Sequence, residues 1–281
     1  MGEILYRTLR SPAEMEQVVE LQKGYWGDDG LALVPSHMLL SIANYGGQVV
    51  GAYDGDELVG VLIGFLGADI DADDAQSAAA RLLVMSKRMI VLPQYRSQKI
   101  GEHLKWLQRD YALRHGVQLI TWTFDPLLAR NAYLNLHKLG AVGQRYQIDY
   151  FGASASHPTL SADRLVANWW VRHPHAQPNA PRPLPDNAQS FNRVRPFGDF
   201  SAPSELEGLQ RPCSAWLVEI PADFPALQSV DPMLAADWRA HIRQAFTALL
   251  EAGYLASDFL RRDNRTFYVF TPDDGTFTLT P

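Results

Sequence analysis

Apolar and polar positions recur with two different periods along this chain, and each change of period marks an element. Residues 4–9 read as a first strand. Ser11-Pro12-Ala13-Glu14 then forms a capping box with proline at the first helical position, which predicts a helix to about Lys23. Residues 24–30 read as a loop, and a short helix is predicted from Pro35 to about Tyr45. Two β-rich runs, 48–53 and 58–66, flank Asp54-Gly55-Asp56 and predict a hairpin. The small, acidic stretch 69–80 reads as a loop before a strand over 82–91. Beyond it Ile100, Leu104, Leu107 and Tyr111 fall on one face of a helix that starts near Lys99 and is closed by Gly116. A strand over 118–124, a helix to Leu139 capped by Gly140 and a strand over 146–151 follow.

Five prolines between 173 and 189 suggest an extended surface linker. Past it, 215–220 reads as a strand, and Asp231-Pro232 opens a long helix with the apolar face Ala235, Trp238, Ile242, Phe246 and Leu249. Gly253 closes that helix, and strands over 254–260 and 266–270 surround Asp263-Asn264. The expected class is mixed α/β, with a domain over 1–155, a Pro-rich strand/linker over 156–189 and a smaller α/β extension over 190–281. The order strand, Pro221, helix, Gly253, strand echoes strand, Pro93, helix, Gly116, strand. The extension therefore admits reading as a degenerate half-copy of the first domain.

Composition narrows the function classes. With 47% apolar residues and seven Trp, 281 residues suffice for one large or two modest cores. No apolar run approaches the ~18 residues of a membrane span, and the first residues lack a signal-peptide core, so a cytoplasmic protein with no membrane partner is expected. Cys213 is the only cysteine, which excludes an internal disulfide and a thiolate cluster and leaves it as a small buried hydrophobe. His173-Pro174-His175 lacks a third ligand at suitable spacing, so no metal is expected. The net charge of −6 argues against nonspecific nucleic-acid binding. A homodimer is an assembly the chain admits.

The chemistry concentrates where the strand ending in Met89, Ile90 and Val91 turns into the helix at Ile100. Arg96, Ser97, Gln98, Lys99, Ile100 and Gly101 form a corner whose free helix N–H groups face the loop, with two cations beside them, as an anion site requires. This corner resembles motif A of the GNAT acyl-CoA N-acyltransferases, in which an Arg or Gln, two residues, a Gly, one residue and a Gly or Ala hold the CoA pyrophosphate. Arg96 and Gly101 match, whereas Lys99 stands at the first glycine. Ala132, Lys138, Leu139 and Gly140 resemble motif B of the same family, with Leu136 where the family often has a tyrosine that protonates the departing thiolate. The resemblance covers about residues 1–152. Together with Trp122-Thr123-Phe124-Asp125-Pro126, the remainder is similar to a larger, poorly characterised GNAT branch with a C-terminal extension.

The resemblance implies a mixed central sheet flanked by helices and direct acyl transfer, most simply acetyl, from CoA to an amine without a metal. Backbone N–H groups near Ile90 and Val91 would polarise the thioester. Asp125 would orient the amine or relay its proton, though Asp before Pro is equally a helix N-cap. Tyr133 or His137 would replace the missing acid, against a half-buried Tyr and a solvated His. Asn131 and Asn135, four apart beside Lys138, would bind the pantetheine amides or simply face water. Tyr25, Trp26, Lys87, Arg88 and Trp122 are the candidate acceptor residues. Lys87 or Arg88 suggests a carboxylate on the acceptor, such as an amino acid, or on the acyl group, which makes an amino-acid N-succinyltransferase the alternative. A salt bridge from either to the acidic stretch 69–74 is the structural alternative. Arg239 and Arg243 read as solvated or as reaching the acceptor. A GNAT-fold module that binds acyl-CoA without turnover is the rival from another class, and a nucleotide site lacks the dinucleotide glycine pattern.

Overall fold

Ser11 opens the first helix by the chemistry its spacing predicts: its hydroxyl accepts the Glu14 N–H while the Glu14 carboxylate accepts the Ser11 N–H at 2.8 Å. These bonds hold the Glu14 carboxyl down at about 2. The computed structural model describes residues 2–27, 33–69, 82–152, 163–178, 180, 182–209 and 213–278. The expected loop 69–80 and the acidic partners proposed for Lys87 and Arg88 lie almost wholly outside these residues.

Two compact units are present, Met1–Trp122 and Thr123–Thr278. In the first, β1 (Ile4–Thr8), α1 (Pro12–Trp26), α2 (Ser36–Asn44), β2 (Gln48–Asp54), β3 (Glu57–Ala68), β4 (Leu82–Val91), α3 (Ile100–Arg114) and the start of β5 (Leu119–Phe124) follow one another. The sheet order is β1-β2-β3-β4-β5, antiparallel except for the parallel pair β4–β5. One sheet face is covered by α1 and α2, where Met15, Val18 and Leu39 pack with Val61, Ile63 and Ile90. The other is covered by α3, where Ile100 and Leu104 meet Val50, Val59 and Leu62. Helix α1 runs three residues past its expected end, which brings Tyr25 and Trp26 into its last turn.

One feature of this unit lies outside the expected pattern, and one expectation needs correction. The side chains of β4 do not alternate without interruption: Ile63 pairs with Arg88 but Gly64 with Ser86, so Lys87 is the extra residue of a β-bulge. Ser86 therefore faces α3 while Arg88 faces α1, two positions apart yet on opposite faces. The buried stripe of α3 is also rotated from the apolar one expected. It consists of Ile100, Leu104, Lys105, Gln108 and Ala112, so two polar residues point into the interior.

The second unit continues with α4 (Ala129–Ala132), which passes into a π-helical turn over Tyr133–Lys138, then β6 (Val142–Gln147), β7 (Arg164–Trp170), β8 (Gln189–Ser190), β9 (Asn192–Phe197), β10 (Phe200–Leu206), β11 (Trp216–Ile220), α5 (Phe224–Val230), α6 (Pro232–Glu251), β12 (Tyr254–Arg262) and β13 (Arg265–Pro272). Its sheet runs β7-β6-β12-β13-β11-β8, again mostly antiparallel, and β9–β10 form a separate hairpin. The predicted apolar face of α6 is buried throughout. Helix α5 and strands β8 to β10 were not legible in the hydrophobic pattern. The strand expected over 146–151 starts and ends earlier, as β6, because Val142 and Gly143 are buried while 148–151 form a turn. The order β11, α6, β12 differs from β4, α3, β5 in pairing, since β13 lies between β11 and β12. Cys213 is buried and its thiol donates to the Ala215 carbonyl.

Candidate functional site

The corner after β4 is built by backbone conformation rather than by side chains. A 3-10 turn over Pro93–Tyr95 ends the strand, and Ser97 and Lys99 then adopt φ values of 58° and 59°. Lys99 is the N-cap of α3 and makes no side-chain cap. Among the described residues, no hydrogen bond engages the backbone N–H groups of Lys99, Ile100, Gly101 or Glu102. These donors lie together at the positive end of α3, beside the exposed Lys99, as a site for a diphosphate requires. Gly101 has a packing reason as well: a Cβ there would come within 3.2 Å of the Met89 methyl.

The left-handed conformation of Lys99 explains the glycine that motif A has at this position, because an L-residue costs roughly 1–2 kcal/mol there. Lys99→Gly is therefore expected to keep the fold and to leave CoA affinity equal or higher in calorimetric titration. A large loss of affinity would assign phosphate binding to the ammonium instead.

Beside the corner the structure brings together several candidates that are far apart in sequence. Arg96 donates to the Tyr25 hydroxyl at 3.1 Å, and Tyr25 meets Trp26 edge to face. The Arg88 guanidinium lies 4.3 Å over the Trp26 ring and donates to Gln22 at 2.6 Å. Arg88 is thus held by α1, its burial drawing its pKa below the usual range. Lys87 projects from the bulge into solvent and joins none of this. Trp122 faces away from solvent, its ring covered by the Lys105 ammonium 3.5 Å from the centroid.

The parallel ladder between β4 and β5 is short. It joins Leu83, Val84 and Met85 to Leu119, Ile120 and Thr121, and stops. From Ser86 to Val91 the β4 edge on that side has no ladder partner among the described residues. Among the described residues, an unpaired strand edge thus leads directly to the corner before α3.

Solved structures similar to the chain include Arabidopsis thaliana NAA60 in complex with acetyl-CoA (14% identity, 60% of this chain and 99% of that one, TM-score 0.49). An acetyltransferase of the GNAT family from Streptococcus pneumoniae is similar at 15% identity, with 59% and 98% covered and a TM-score of 0.46. The ribosomal-protein-S18-alanine N-acetyltransferase from Escherichia coli is similar at 11% identity, with 61% and 96% covered and a TM-score of 0.46. In fold, this chain is similar to GNAT acetyltransferases. No family model and no curated protein matches it.

The candidates of the second unit sit in networks of their own. Both oxygens of Asp125 accept from Arg239, at 2.7 and 2.6 Å, and Asp125 also accepts the Leu127 N–H. The expectation that Arg239 is solvated is corrected, and Arg243 is half-buried. Arg239 is 8% exposed and paired to Asp125, and Arg243 is paired to the buried Asp163 at 2.8 Å. Tyr133 stacks on His137 at 4.8 Å between centroids, with the Arg261 guanidinium 4.3 Å over its ring. His137 Nδ1 lies 3.0 Å from Asp258. The expected polar stripe of Asn131 and Asn135 does not form, since Asn131 is exposed and Asn135 is buried. Asn131 lies in the α-helical turn and Asn135 in the π-helical turn that follows it. Asp258, missed by periodicity, had a signal: an aspartate inside a strand is disfavoured and calls for a partner. Among the described residues, no group of three His, Cys, Asp or Glu is arranged to hold a metal, and no helix is long and apolar enough to cross a membrane.

Proposed function

We propose that this chain is a GNAT-type N-acyltransferase that moves an acyl group from acyl-CoA to an amine. What carries the reading is one continuous feature: unengaged N–H groups at the start of α3 that open onto a strand edge without a ladder partner. A diphosphate at the corner is held by the N–H groups of residues 99–102 with Arg96 and Lys99, while Ser97, Gln98, Ile100 and Gly101 shape the loop. An amide-containing arm then runs along Met89, Ile90 and Val91 as an added strand would. From Val91 back to Ser86 the edge spans roughly 17 Å at ~3.3 Å per residue. The motif resemblance supports CoA as the ligand of that shape.

Transfer is direct. The amine nitrogen attacks the thioester carbon, a C–N bond forms, the C–S bond breaks, sulfur leaves with the electron pair, and the amine proton passes to water. Backbone N–H groups of the free β4 edge stabilise the developing oxyanion, and alignment of the two substrates supplies much of the acceleration. An α-amino group, with a pKa of roughly 8 and about a tenth of it neutral at pH 7, suits an edge with no carboxylate on it better than a lysine amine at ~10.4. Tyr25 and Trp26, in contact with Arg96 and Arg88, are assigned to the acceptor, and Asp125 to positioning the chain after β5.

Calorimetric titration with CoA and with pantetheine, which lacks the diphosphate, tests the binding step, and thiol release with a panel of amines tests turnover. CoA is expected to bind and pantetheine to bind far more weakly. Arg96→Ala should weaken CoA about tenfold, the loss of one charge-assisted contact. Absence of CoA binding would overturn the reading. Binding without thiol release from acetyl- or succinyl-CoA would favour the module without turnover.

A further inference from the structure

Lys105 is a buried lysine without a counter-ion among the described residues. It lies on the inward face of α3 and is 3% exposed. Its ammonium donates to Ser86 Oγ at 2.7 Å and to Gln108 Oε1 at 3.3 Å, and its third side faces the Trp122 ring. No carboxylate among the described residues pairs with it. Burial draws its pKa well below that of an ordinary lysine. A flexible, strongly hydrated side chain gains nothing from such a place unless something accepts from it.

The same shell holds a second donor in want of an acceptor. Gln108 is fully buried, and because its Oε1 accepts from Lys105, its amide orientation is set; Nε2 is then left without a partner. With Lys105 protonated, the form that a bound carboxylate favours, it and Gln108 offer five N–H donors between them, against Ser86 Oγ and Gln108 Oε1 as acceptors. An acceptor-only group with two oxygens, a carboxylate, matches that imbalance.

Position supplies the rest. Ser86 follows the last ladder pair, Met85↔Thr121, and Trp122 follows its partner, so Lys105 stands at the point where β4 and β5 part. That is the far end of the unpaired edge from the phosphate corner, where the acyl end of an extended thioester arrives. We infer that Lys105, with Gln108 and Ser86, selects an acyl group ending in a carboxylate, making the donor a dicarboxylic acid monothioester of CoA. The inference rests on the N-acyltransferase reading above, and it moves the carboxylate recognition expected of Lys87 or Arg88 to a residue on α3.

Calorimetric titration of the whole chain with succinyl-CoA and with butyryl-CoA, of equal chain length but ending in a methyl group, decides it. Succinyl-CoA is expected to bind about tenfold more tightly, and Lys105→Met to reverse the order. Equal binding, tighter binding of butyryl-CoA to the unaltered protein, or a preference that survives in Lys105→Met would overturn the inference while leaving the N-acyltransferase reading intact. Failure of CoA itself to bind would overturn both. Should Lys105→Met not fold, the two donors on the unaltered protein, with Gln108→Leu as the second variant, give the same decision.

Discussion

Replacing Arg239 with Met is expected to destabilise the protein by about 3–5 kcal/mol, read as a lower denaturant midpoint at unchanged slope. The Asp125 carboxylate lies between two Arg239 Nη atoms, and the side chains are 16% and 9% exposed. Removing the guanidinium strands a largely buried carboxylate, which among the described residues otherwise accepts only the Leu127 N–H. Asp125→Asn combined with Arg239→Met should recover much of the loss, because the penalty belongs to the uncompensated charge rather than to the absent bond. A single variant as stable as the parent would show that Asp125 is free to act as a base.

Gly140→Ala is expected to cost about 3 kcal/mol or more. Gly140 has φ +74°, where an alanine is strained, and an added Cβ would overlap the His175 carbonyl oxygen and press on Arg182. Arg182 cannot withdraw cheaply. Its guanidinium donates to the carbonyls of Leu136, His137 and His175, closing the open end of the π-helical turn. The glycine of motif B thus has two physical reasons in this chain, a left-handed cap and a neighbouring strand of backbone with no room for a methyl. Circular dichroism melts would check it, and an unchanged midpoint would mean that 173–182 relaxes away freely.

Local rules made much of the fold legible. The Ser11 capping box, the Asp54-Gly55-Asp56 turn, the strand 82–91 and the α6 face Ala235, Trp238, Ile242, Phe246 and Leu249 all appear where their spacing put them. Each is a short-range signal: a side chain bonding three residues away, a turn of two, or a period repeated over several turns. The corner 96–101 was legible for the same reason. Its chemistry is carried by consecutive residues.

Other features depend on partners distant in sequence. That Lys87 is a bulge, and that Ser86 and Arg88 consequently face opposite sides, follows from how β3 pairs with β4. The partners of Asp125 and His137 are 114 and 121 residues away. Local spacing set the helices, the strands and the corner before α3, because those interactions close within a few residues. Tertiary structure alone decided which polar groups are buried, which of them are paired, and that Lys105 and Gln108 are left with donors to spare, because desolvation and pairing depend on what the rest of the chain brings alongside.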